Sequence, residues 1–157
     1  MIEASTFLKV GNEFLNIYNY EGELDDDFYV EGALELSINN IKLIDKSMWD
    51  CIDQLWCYFV DGLILISENK EFRTNFPDQP IEVIFTPVKE HILISVKANV
   101  QKKAFIKKAV FITYMASHAK EFFAKLVTLG KANVNLYSPY MHDVDTLLKK
   151  YPSIKFD

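Results

Sequence analysis

Two cysteines, five glycines, five prolines, three histidines and a single arginine are all that the 157 residues hold of these types. Each scarcity removes a class of protein. The glycines are too scattered for Gly-x-Gly-x-x-Gly or Gly-x-x-x-x-Gly-Lys, so neither common phosphate cradle is present. Cys51 and Cys57 stand six apart, and at ~100° per residue a helix turns them to different faces. They therefore form neither a disulfide nor a zinc pair, and they read as reduced, inert thiols. Among His91, His118 and His142 no two lie one helical turn apart, so no metal is expected. Asp25-Asp26-Asp27 lacks the alternating ligands, central glycine and distal glutamate of a calcium loop. No cofactor is implied.

Catalytic signatures are equally thin. Ser117-His118, and His142 with Asp145, are fragments of a triad without a Gly-x-Ser-x-Gly elbow, and the chain is expected not to be an enzyme. An enzyme working through His118 or His142 would need a cleft that also holds a carboxylate. No stretch nears the roughly 20 apolar residues of a membrane span, and Glu3, with no basic residue before it, argues against a signal peptide. A cytoplasmic protein that engages no membrane is the expectation. Lys97, Lys102, Lys103, Lys107 and Lys108 could touch phosphate. In an arginine-poor chain of net charge −5 they are instead expected to offset acidic residues across the fold, and no nucleic-acid partner is implied.

What the chain does have is acid, unevenly distributed. Residues 1–90 carry 18 acidic against 6 basic residues, a net of −12, and residues 91–157 carry 4 against 11, a net of +7. The acids crowd most densely at Glu21, Glu23, Asp25, Asp26, Asp27, Glu31 and Glu35. A field of one sign raises the rate at which an oppositely charged partner arrives, so this cluster is the candidate surface for binding a basic protein.

Half of the residues are hydrophobic, ample for a core, and with neither repeats nor linkers a single domain over 1–157 is expected. Thr6–Val10 and Glu13–Tyr20 flank Gly11-Asn12, a two-residue hairpin signal. Phe28–Ile38 alternates Leu34, Leu36 and Ile38 with Glu35 and Ser37, and Asn39-Asn40 turns it into Ile41–Ile44. Ser47-Met48-Trp49-Asp50 resembles a capping box for a helix of about five turns. In that helix Met48, Ile52, Leu55, Phe59, Leu63 and Ile66 share one face, opposite Asp50, Asp53, Gln54 and Asp61. Trp49 and Trp56 read as core residues, with a partner's anchor as the alternative.

Residues 69–80 form a connection ending in the rigid Phe76-Pro77-Asp78-Gln79-Pro80. Ile81–Thr86 and His91–Val100 make a second hairpin. A long helix is predicted from about Lys103 to Leu129, capped by Gly130, and Ser138-Pro139 opens a short helix to about Lys150. The sum is an α+β fold, a mainly antiparallel sheet of about six strands packed by two long helices and a short C-terminal helix.

The stretch Trp49-Asp50-Cys51-Ile52-Asp53-Gln54-Leu55-Trp56-Cys57-Tyr58-Phe59-Val60-Asp61-Gly62-Leu63, followed by Phe76-Pro77-Asp78-Gln79-Pro80, resembles small bacterial immunity proteins of the WapI-immunity kind. The likeness covers roughly Tyr20 to Gly130, and its motifs are aromatic and proline positions with no known binding residue to carry over. It implies a cytosolic protein that protects its own cell by binding and blocking a toxin encoded nearby, many such toxins being basic nucleases. The alternative reading is a structural or regulatory subunit that self-associates, as a homodimer, through the wide apolar arc of the long helix.

Overall fold

Gly11, at φ +62°, supplies the positive dihedral that a two-residue turn demands, and it joins β1 (Ile2–Val10) to β2 (Glu13–Asn16). Asn39 and Asn40, at φ 50° and 67°, do the same between β3 (Glu31–Ile38) and β4 (Ile41–Ile44). A computed structural model describes residues 1–24, 29–129 and 134–152. Asp25–Asp27, Phe28 and the expected cap at Gly130 lie outside the described residues.

The protein is α+β, and its strands are antiparallel. They divide, however, into two sheets. The first has the order β2-β1-β3-β4, with the two-residue β5 (Asp50–Cys51) also paired to β3. The second runs β6-β7-β8-β9, formed by Phe72–Asn75, Glu82–Val88, His91–Lys97 and Gln101–Lys107. The sheets meet at their edges, where Asn39 Nδ2 donates to the Phe105 carbonyl at 2.9 Å and Lys102 Nζ to the Lys42 carbonyl at 3.1 Å.

Three helices complete the fold: α1 (Ile52–Ser67), α2 (Lys108–Leu126) and α3 (Val134–Lys150). The first two pack on the strands, and α3 packs chiefly on the other two helices. Trp56 is central and fully buried. Its indole N–H donates to Thr6 Oγ1 at 3.1 Å, and its ring stacks on Phe122 at 6.0 Å. Gly62 lets β6 approach α1, since a Cβ there would stand 2.6 Å from the Phe72 ring. Asn69, at φ 60°, ends α1, with Lys70 N–H returning to the Leu65 carbonyl at 3.0 Å.

Four local expectations change. Residues 101–107 are a strand and not the start of the long helix: Ala104 and Ile106 are buried while Lys103, Phe105 and Lys107 face out. Pairing with β8 overrides the weak strand propensity of lysine and alanine. The connection at residues 69–80 contains β6. The third helix, Val134–Lys150, has 17 residues and is not short, and Pro139 lies within it. Finally, Ser47 caps no long helix. It sits in a 3-10 turn, Lys46–Met48, where Asp45 accepts its backbone N–H at 2.9 Å.

Candidate functional site

Of the seven acids singled out, Asp25, Asp26 and Asp27 lie outside the described residues. Glu21 and Glu23 are exposed, in the segment that leaves the 3-10 turn Ile17–Asn19. Tyr20 anchors that segment by donating its hydroxyl to the Glu23 carbonyl at 2.6 Å. Glu31 and Glu35 lie on the outer face of β3, where the alternation puts them. Glu31 pairs with Lys9 at 3.7 Å, and Glu35 with Lys42 at 2.9 Å and Lys46 at 3.7 Å. The hydrogen bond to Glu35 lifts the Lys42 pKa above its ordinary value. The structure thus separates two exposed carboxylates from two already paired.

Two small cavities adjoin this segment and share Tyr29. One, of about 260 Å³, lies among Lys9, Tyr20, Leu24, Tyr29 and Glu31. The other, of about 310 Å³, lies among Tyr29, Ser47, Trp49, Asp50, Asp78 and Gln79. Tyr29 donates its hydroxyl to Asp78, and that bond, with burial and the carboxylate charge behind it, pushes the tyrosine pKa up. Lys9 Nζ lies 4.5 Å from the Trp49 ring centroid. Trp49 therefore belongs to a polar, aromatic surface, whereas Trp56 is core.

A buried carboxylate supports that surface from behind. Asp50 is 2% exposed and accepts backbone N–H groups from Cys51 at 2.6 Å, Asp78 at 3.0 Å and Gln79 at 2.8 Å. Gln79 in turn donates its side-chain amide to the Trp49 carbonyl. The proline-bounded turn and the residues before α1 are thereby held as one unit. The acid at position 50, read as a helix cap, instead organises a loop 28 residues away. No local sequence signal reveals this, because the loop's donors are backbone groups.

No family model, curated protein or solved structure matches this chain. The site rests on its own geometry.

Asp53, placed on the solvated face of the helix wheel, is also 2% exposed. It accepts from the Tyr137 hydroxyl at 2.7 Å and the Cys51 thiol at 3.0 Å, because α3 covers that side of α1. Burial and then Asp53 push the Cys51 thiol up to about 12, and burial with nearby acidic charge does the same for Cys57. Both thiols stay protonated and unreactive at neutral pH.

The histidines part company. His91 stacks on Phe105 at 4.8 Å, and His142 is exposed on α3. His118 lies beside Tyr114, with ring centroids 4.6 Å apart, in a groove of about 770 Å³ that also reaches Glu121. Burial lowers its pKa from 6.5 despite the opposing charge of Glu121. The cleft with a carboxylate that a general base requires is present. Among the described residues, however, no hydroxyl or thiol hydrogen-bonds to His118, and no group of three His, Cys, Asp or Glu could hold a metal.

Of the lysines expected to offset the acids, Lys108 donates its Nζ to Asn69 Oδ1 at 2.6 Å and Lys102 to the Lys42 carbonyl at 3.1 Å. Every ion pair among the described residues joins groups of the same half of the chain: those of Lys9, Lys42, Lys46, Lys70 and Arg73 within residues 1–90, and Lys120 with Asp145 beyond it. No described helix is long and apolar enough to cross a membrane.

Proposed function

We propose that the protein is a non-enzymatic inhibitor that binds a basic protein, a toxin encoded nearby, through the acidic segment 21–35 and the aromatic surface beside it. The supporting observation is that Glu21 and Glu23 are exposed and that no ion pair among the described residues joins the acidic half to the basic half. Exposed acids that stand outside any such pair speed and select encounter with a basic surface. Trp49 and Tyr29 supply the flat, amphipathic rings that hold such complexes once formed. The mechanism is occlusion: acids guide, rings hold, and the partner's basic site is covered.

The apolar arc of α2 gives the self-association reading no support. Phe111, Ile112, Met115, Ala116, Ala119, Phe122, Phe123 and Leu126 are all 0% exposed within the single chain.

The test is direct. The product of a neighbouring toxin-like reading frame is purified, and its binding to this protein is followed by stopped flow across a salt series. Replacing Glu21 and Glu23 with Gln, or Asp25–Asp27 with Asn, should slow association and flatten its salt dependence while leaving dissociation nearly unchanged. Glu35→Gln should do little. A partner that associates equally fast with the neutralised variants would show that another surface binds, and absence of both binding and protection would remove the inhibitor reading altogether.

A further inference from the structure

The groove beside His118 shares no lining residue with the two cavities beside the acidic segment and has its own polarity. It follows α2, and from Val110 to Glu121 the helical rise gives it a length of roughly 16 Å. One end is apolar, formed by Ile2 of β1, Ile106 of β9 and Val110, with the Lys107 ammonium beyond them. The other end gathers Tyr114, His118 and Glu121. A cavity of about 770 Å³ falls within the range that accepts a small organic ligand.

The polar end suits a cation. Glu121 is exposed, and no ion pair holds it among the described residues. Glu3 on β1 stands close enough that its charge, after burial and together with that of Glu121, raises the Tyr114 pKa. Tyr114 is fixed in place, its oxygen accepting the Ala4 N–H at 2.8 Å. Burial favours the neutral form of His118, which offers one acceptor nitrogen without adding a competing positive charge. Aromatic rings beside carboxylates are the surroundings that attract ammonium groups. At the opposite end Lys107 repels a cation, which leaves only one orientation.

We propose that this groove binds a small amphipathic amine, with its ammonium between Glu121 and the Tyr114–His118 pair and its hydrocarbon body over Ile2, Ile106 and Val110. Glu121 complements the ammonium at one end, and Lys107 at the far end sets its orientation.

Titration calorimetry and proton NMR on the full chain test this with octylammonium, octanoate and octanol at pH 7.5. Saturable binding of octylammonium should shift the Tyr114 and His118 ring signals and exceed that of octanoate at least tenfold. Glu121→Gln should weaken it about fivefold, and Val110→Asp, at a half-buried position and with folding checked by circular dichroism, should disrupt the body site. The proposal is overturned if octanoate or octanol binds as tightly as the amine, if the amine does not bind, or if neither substitution alters its binding.

Discussion

Replacing Asp50 with Asn changes one heavy atom of a buried side chain, and the geometry sets the cost. The carboxylate serves three backbone donors, with Cys51 N–H on Oδ1, Gln79 N–H on Oδ2 and Asp78 N–H shared by both at 3.1 and 3.0 Å. An amide has one acceptor oxygen. If it turns that oxygen to Gln79 and Asp78, its own N–H₂ faces the Cys51 N–H, and a buried donor is orphaned at about 1–3 kcal/mol. The remaining bonds also lose their charge assistance, partly offset by the easier burial of a neutral group. We expect a loss of about 3 kcal/mol. In a chain of this size that is a fall in Tm of roughly 6–12 °C. Urea unfolding followed by tryptophan fluorescence, with circular dichroism as a second probe, measures it. Asp50→Ala, which leaves all three donors unpaired, should cost more. A stability of Asp50→Asn within about 0.5 kcal/mol of the parent would refute the claim that this carboxylate holds the proline turn.

Tyr137→Phe removes the hydroxyl that Asp53 accepts, leaving the buried acid with the weak thiol donor alone, and should cost about 2 kcal/mol by the same unfolding assay. His118 should make stability fall in mild acid. Its folded pKa lies below 6.5, so the unfolded chain takes up the proton first, and stability is lost as pH drops below about 6.5. His118→Asn should abolish that slope in denaturation curves measured from pH 7.5 to 5.

Much of the architecture was legible because alternation and turn chemistry agree locally. Gly11-Asn12 and Asn39-Asn40 mark their hairpins, and the turn after Ser67 needed only a residue tolerant of positive φ. The failures share a cause. Gln101–Lys107 carries apolar residues that satisfy both a period of 2 and a period of 3.6, and only pairing with β8 selects between them. Asp50 and Asp53 look solvated on a helical wheel, yet their partners are a distant turn and the third helix. A wheel describes one helix, not what comes to cover it. At the candidate surface the acids are plain in the sequence, but the pairing of Glu31 and Glu35 depends on Lys9, Lys42 and Lys46 arriving from neighbouring segments.

The edge-to-edge meeting of β4 and β9 bears on how the protein behaves at high concentration. Each sheet would otherwise present an open edge there, a template for strand addition by another molecule. By facing each other, bridged through Asn39 and Lys102, these edges are withdrawn from solution. The outermost strands that remain, β2 and β6, are four residues long, and β6 sets Arg73 among Glu71 and Glu82. Short strands flanked by charge are poor seeds for fibrils, so the division into two sheets also protects the chain from aggregation.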